Sequence, residues 1–257
     1  MDKAFIKGLR LIESLASSEA PRGVTELAVE LKMTKSNVHR LLGTLQAQGY
    51  VRQTSALGTY QLTPRLWEFG CRVMARFDLA KFARHAMQTL AEATKETVHL
   101  SILDGLDVVY LDKIESAHDV RAYSHVGGRS PAWCVATGKA MLAYASPDML
   151  VGIGDRMRAF TRESIIEEAV LHDQFEAIRR NGYAVNRGEW REGVCGLAAP
   201  VRSGSGSVVG AIGISGPAQR LQPKHIRKFA GHVMDAADEV AQALGQRVAA
   251  SPLRAAL

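Results

Sequence analysis

Between residues 25 and 62 the chain strings together a short helix, a tight turn, a longer helix and a β-hairpin, and that order leaves few folds open. Thr25 is expected to cap a helix that points Leu27, Ala28 and Leu31 inward. Lys32 and Met33 make the turn. Thr34 then caps a helix whose buried face is Val38, Leu41, Leu42 and Leu45, and Gly49 stops it. Tyr50–Gln53 and Thr59–Leu62 are rich in β-formers, with Ser55-Ala56-Leu57-Gly58 between them as a hairpin tip. Upstream, Phe5, Ile6, Leu9, Ile12, Leu15 and Ala16 recur at helical spacing on a first helix, which Ser17–Gly23 breaks. Helix, helix-turn-helix, hairpin is the order of a winged helix-turn-helix.

The chemistry of that region lies on its third helix. Opposite the leucines stand Lys35, Ser36, Asn37, His39, Arg40, Thr44 and Gln46. Recognition helices aim their N-terminal end into the major groove, where free N–H groups and the helix dipole also favour phosphate. Ser36 and Asn37 suit base edges, and Arg40 suits either a bidentate contact to guanine or a phosphate. Lys35 and His39 suit the DNA backbone, and Arg52 and Tyr60 would reach out from the wing. Arg22 and Thr34 complete the expected contact set. The partner so implied is double-stranded DNA. Charge agrees modestly: residues 1–62 hold eight Lys or Arg against five Asp or Glu, which leaves +3, within a whole-chain excess of +6.

Pro64 opens a further helical stretch with Leu66, Phe69, Val73, Met74 and Phe77 at one period, expected as a connector helix over residues 64–80. Beyond it the pattern changes. A helix with Met87, Leu90 and Ala91 leads to strands at 97–103 and 108–111 around Asp104-Gly105, then to a third strand at Val120–Val126. A loop follows at Gly127–Pro131, a short helix at Ala136–Ala145, and two helical segments at Glu163–Ala169 and Asp173–Asn181. Strands at Leu197–Val201 and Val208–Ile214 flank a Gly/Ser turn. A closing helix carries Ile226, Phe229, Val233, Met234, Ala237, Val240 and Leu244, and Ser251–Leu257 reads as a frayed tail. The expected architecture is α+β and multidomain: winged helix-turn-helix at 1–63, connector at 64–80, a second domain with a largely antiparallel sheet at 81–250, and the tail at 251–257.

Several blocks carry a family resemblance. Gly23-Val24-Thr25-Glu26-Leu27-Ala28, Lys35 to Leu42 and Gln48-Gly49-Tyr50-Val51 resemble the DNA-binding domain of IclR-type transcriptional regulators. The similarity continues through Glu96 to Leu100, Val109 to Lys113, Ala136 to Ala140 and Ile214 to Pro217, over nearly the whole chain. The resemblance implies a C-terminal, GAF-like α/β effector domain, a homodimer or dimer of dimers, and a small organic acid as effector. It also implies a cavity at Ser130, Ala136, Thr137, Asn186, Val194, Gly196, Gly213 and Ser215. Some family members have Cys at the position of Gly196 and Ser at that of Gly213, and many have Asp at that of Asn186. The smaller, less acidic set here implies a roomier pocket and a larger acid, with aromatic acids included. Trp133 is added as a residue that would stack on a ring, and Trp190 flanks the same segments; core or dimer packing is the other reading of both.

Catalytic motifs are wanting. Gly210 to Gly216 is glycine-rich but not spaced GxGxxG, and Pro217 stands where a phosphate-binding helix would begin. Ala136-Thr137-Gly138-Lys139-Ala140 fails as a P-loop, because Trp133 replaces the first glycine and Ala140 the magnesium-binding hydroxyl residue. Ser215 is in no G-x-S-x-G elbow, and the histidines show no HExxH spacing. His99, on a strand, is expected to be packed and hydrogen-bonded. No cofactor and no metal are expected. With no signal-peptide pattern, no membrane-length apolar run and only 3 scattered cysteines, the expected setting is the cytoplasm. The alternative is a metabolite-binding module or enzyme whose winged helix serves protein contacts.

Overall fold

The computed structural model describes residues 2–54, 58–74, 78–122 and 124–250. The expected hairpin tip at 55–57, Phe77 and the tail at 251–257 lie outside the described residues. The chain divides into two compact units, Met1–Phe77 and Asp78–Leu257.

In the first unit α1 runs Lys3–Ala16, and the Asp2 carboxylate caps it by accepting the Ala4 N–H at 2.8 Å. Helix α2 spans Val24–Glu30 and begins earlier than expected. Gly23, not Thr25, takes the cap position, because the Glu26 carboxylate reaches back to its N–H at 3.3 Å. Lys32 sits in the left-handed region at φ 53°, which makes the turn tight. Helix α3 spans Lys35–Ala47 under the expected Thr34 cap, whose hydroxyl accepts the Asn37 N–H at 3.3 Å. Strands β1 (Val51–Gln53) and β2 (Tyr60–Leu62) pair antiparallel. Leu11, Leu15, Leu27, Ala28, Val38, Leu42, Val51 and Tyr60 form the core. Each large aliphatic side chain buried there contributes about 1.5–3 kcal/mol. Helix α4 is Arg65–Met74.

The second unit opens with α5 (Asp78–Thr94), so its first turn falls within the stretch expected as connector. Leu79 is buried, in phase with Ala83, Ala86 and Leu90, which binds that turn to the new core. Strands β3 (Thr97–Asp104) and β4 (Asp107–Ile114) form a hairpin. Strand β5 (Arg129–Pro131) and a single 3-10 turn, Ala132–Cys134, lead into α6 (Ala136–Leu142). Two one-turn helices, α7 (Pro147–Leu150) and α8 (Ile153–Arg156), precede α9 (Glu168–Asn181). Strands β6 (Ala184–Arg187), β7 (Val194–Arg202) and β8 (Val208–Pro217) and helix α10 (Pro223–Ala250) follow. The sheet is six-stranded in the order β5-β4-β3-β8-β7-β6, antiparallel throughout. Helices α5 and α10 pack together on one face, and α6 lies on the other against β7 and β8.

The second unit also departs from expectation. Among the described residues, Val120–Val126 forms no strand. Val120 and Val126 are exposed, and β4 takes its edge partner from Arg129–Pro131 instead. Gly127, at φ 80°, turns the chain so that its N–H reaches the Tyr110 carbonyl at 2.8 Å. The two helical segments around 163–181 are one helix, α9. Ahead of it the Ser164 hydroxyl accepts the N–H groups of Phe160 and Thr161, both at 2.9 Å, holding that stretch in a turn. Strand β6 was not anticipated, being too short for alternation to show.

Candidate functional site

Helix α3 presents Lys35, Ser36, His39 and Arg40 to solvent from one side, while Val38, Leu41 and Leu42 are buried on the other. Arg40 Nη2 donates to Asn37 Oδ1 at 3.3 Å, so the two side chains with the best base-reading chemistry are arranged as a pair. Thr34 works as the cap and is itself exposed at the helix start. On the wing Arg52 is exposed and stands across the hairpin from Gln61.

Two expected contacts belong elsewhere. Tyr60 is only 5% exposed and packs in the core, so it is not a wing side chain free to reach DNA. Arg22 is committed to Glu26 at 3.1 Å and Glu30 at 2.8 Å, while its backbone bridges to Tyr60 through hydrogen bonds of 2.9 and 2.8 Å. It ties the hairpin to α2. The Ser14 hydroxyl, with Arg22 beside it, holds the Glu30 carboxyl below its ordinary range.

The second unit holds a partly open cavity of about 120 Å³ between the sheet and the start of α6. Ser130, Ala136, Thr137, Asn186, Val194, Gly196 and Ser215 all line it, although they come from five separate stretches of sequence. A Cβ on Gly196 would fall 2.5 Å from Asn186 Oδ1 and 3.3 Å from the Ala136 Cβ, so glycine keeps this part of the cavity open. Gly213 does not line the cavity. A Cβ there would meet the Ala198 Cβ and the Leu197 carbonyl at 2.5 Å, so its missing side chain lets β7 and β8 pack rather than enlarging the pocket. Trp133 is not a wall either: it is 2% exposed and packed in the hydrophobic core.

Trp190 lines the cavity instead, with Phe160 set edge-on at 4.5 Å and the Arg191 guanidinium 5.8 Å from its ring. Its backbone is anchored from the neighbouring residue. The Glu189 carbonyl accepts the Ser164 hydroxyl at 2.7 Å, and the Glu189 carboxylate meets Lys139 Nζ at 2.7 and 2.8 Å. Lys139 is fully buried, and its third proton goes to Gln174 Oε1 at 2.7 Å, so every donor of the ammonium is used. Burial pulls the Lys139 ammonium down and pushes the Glu189 carboxyl up, each against the pull of its partner's charge. The same burial pushes the Cys134 thiol up to about 12.

The other polar walls were not in the expected set. His99 Nε2 lies 2.6 Å from Ser215 Oγ, and its Nδ1 lies 3.4 Å from Ser124 Oγ. The Tyr110 hydroxyl lies 3.3 Å from Ser130 Oγ, and its ring is centred 5.0 Å from that of His99. Burial, reinforced by the Lys113 charge, lowers the His99 imidazole from 6.5 to about 4, so it is neutral near pH 7. His99 is thus packed and hydrogen-bonded as expected, and it also faces the cavity. Its position between Val98 and Leu100, both buried on the opposite strand face, was the available signal. Lys139 and Glu189 had none, being fifty residues apart.

Two family models match the chain: the IclR helix-turn-helix domain over residues 5–55 and the bacterial transcriptional regulator IclR C-terminal domain over residues 71–242. This chain belongs to the IclR family. The HTH-type transcriptional regulator KdgR of Escherichia coli (strain K12) is 32% identical over 244 residues, covering 94% of this chain and 92% of that one. The Thermotoga maritima IclR crystal structure superposes with a TM-score of 0.79 at 26% identity, covering 95% of this chain and all of the other. An IclR homolog from Microbacterium hydrocarbonoxydans, solved in complex with 4-hydroxybenzoate, shares the fold with a TM-score of 0.82 at 20% identity, over 94% and 99% of the two chains. IclR-family proteins are DNA-binding transcriptional regulators and not enzymes, which sets aside the catalytic alternative. Among the described residues of this IclR-family chain, no helix is long and apolar enough to cross a membrane.

Proposed function

We propose that this regulator is controlled by a small organic acid, aliphatic or aromatic, which comes from a catabolic pathway and binds in the cavity of the second unit. One observation carries the reading: residues from distant stretches converge on one partly open cavity of about 120 Å³ whose walls mix apolar surface with polar side chains. Arg191 on the wall supplies positive charge, Trp190 a ring face, and Ser215, Thr137 and Asn186 hydrogen bonds. The 4-hydroxybenzoate bound by the Microbacterium homolog supports the aromatic option. The effector would shift a balance between DNA-competent and DNA-incompetent arrangements of a homodimer or dimer of dimers on a pseudo-palindromic operator, in the cytoplasm. In this scheme residues 1–63 bind DNA, 64–80 connect, and 81–250 bind effector and pair the protomers.

A thermal-shift screen against small and aromatic carboxylic acids tests this directly. A ligand that stabilises the wild type is expected to lose its effect in the double variant Ser215→Ala, Asn186→Ala. A full shift retained by that variant would place the ligand elsewhere.

A further inference from the structure

Within that cavity, and resting on its reading as the ligand site, one residue fixes what kind of oxygen can be bound. We infer that His99 sets the hydrogen-bond polarity at Ser215: carrying its proton on Nε2, it turns the Ser215 hydroxyl proton into the cavity, so that this position takes a purely accepting ligand oxygen, a carboxylate or carbonyl.

A neutral imidazole has one donor and one acceptor nitrogen. If Nε2 accepts, Ser215 spends its proton on His99 and offers the ligand only lone pairs. If Nε2 donates across its 2.6 Å contact, the Ser215 proton is free for the ligand. Lys113 decides between them. It is the strand partner of His99 across the β3–β4 hairpin, and its Nζ lies 2.6 Å from the carbonyl oxygen of Ser124, the residue whose hydroxyl faces Nδ1. The ammonium therefore stands on the Nδ1 side of the ring. A cation there favours a lone pair on Nδ1 and the proton on the far nitrogen. The other charge close to that ammonium, Glu115 at 2.7 Å, is half exposed, so water screens it more than it screens the buried ring. The low affinity of His99 for a second proton removes the doubly protonated state near neutral pH.

The test uses the full chain with nitrogen-15 histidine. A long-range proton–nitrogen correlation spectrum at pH 7, with His99 assigned from its absence in His99→Gln, is expected to show a protonated Nε2 and a bare Nδ1. The reverse pattern would overturn the inference. Benzoate is the ligand probe. Calorimetry is expected to show several-fold weaker benzoate binding in Lys113→Met, with a rise in the Nδ1-protonated form, and near wild-type binding in His99→Phe, whose ring cannot accept the Ser215 proton. Unchanged benzoate affinity in a Lys113→Met protein whose spectrum shows that rise also overturns it. Should wild-type protein bind neither benzoate nor any other carboxylate, the ligand reading of the cavity falls, while the spectrum still decides the tautomer.

Discussion

The two units place their chemistry in opposite ways. In the first, the side chains proposed to meet DNA stand in water on the first two turns of α3, within residues 34–40, and the core behind them only holds that helix up. In the second, the polar groups of the cavity face inward, come from β3, β4, β5, α6, β6 and β8, and depend on one another for position. Exposed sites tolerate change in their support; buried polar sites do not, because an unpaired group in a low-dielectric interior costs more than the bond it loses.

That contrast is easiest to break at Lys139. Lys139→Met leaves the Glu189 carboxylate buried without its partner, and denaturant unfolding of the second unit is expected to lose about 3–5 kcal/mol. The double variant Lys139→Met, Glu189→Leu should recover much of that. If the single variant is as stable as wild type, the pair does not anchor the Trp190 segment.

Next comes acidity. The lowered His99 value means that unfolded chains take up a proton near pH 6.5 that the folded protein refuses until about 4. Stability from this group is complete above pH 6.5 and is lost as pH falls toward 4, by at most about 3 kcal/mol. His99→Gln should flatten the fall in thermal midpoint across that window; an unaltered slope would show that other groups cause it.

On the exposed side, Arg40→Ala should weaken specific operator binding by about 1–3 kcal/mol in a fluorescence-anisotropy titration, with no change in melting temperature. The wild-type affinity should fall steeply as salt rises, through counterion release. Salt-independent binding would contradict the contact set on α3. The smallest effect is expected at the cap: Thr34→Ala should cost roughly 1 kcal/mol of stability and, by loosening the first turn of α3, a few-fold in operator affinity.

The same contrast explains what the sequence disclosed. Thr34, Val38, Leu41, Leu42 and Gly49 announce α3 because capping and periodicity are local, and the exposed residues between them follow automatically. Even there Tyr60 misled, since a β-former on a three-residue strand does not say which face is buried. In the second unit the family resemblance located most of the cavity wall, but not the roles. Gly213 reads as room for a ligand but is room for Ala198, and Trp133, for which the sequence leaves both ring stacking and core packing open, is core. Contacts such as His99 to Ser215 are set by strand order, which no local pattern encodes.

That strand order also has a temporal consequence. Strand β3 lies at the middle of its sheet, paired on one side with β4, its immediate successor, and on the other with β8, so that His99 meets Ser215 across 116 positions of sequence. A chain emerging from the ribosome can complete its first unit from neighbouring segments, whereas β3 must wait beside β4 until the last strand has been made. During synthesis the first unit can therefore be finished while the cavity of the second still lacks one of its walls.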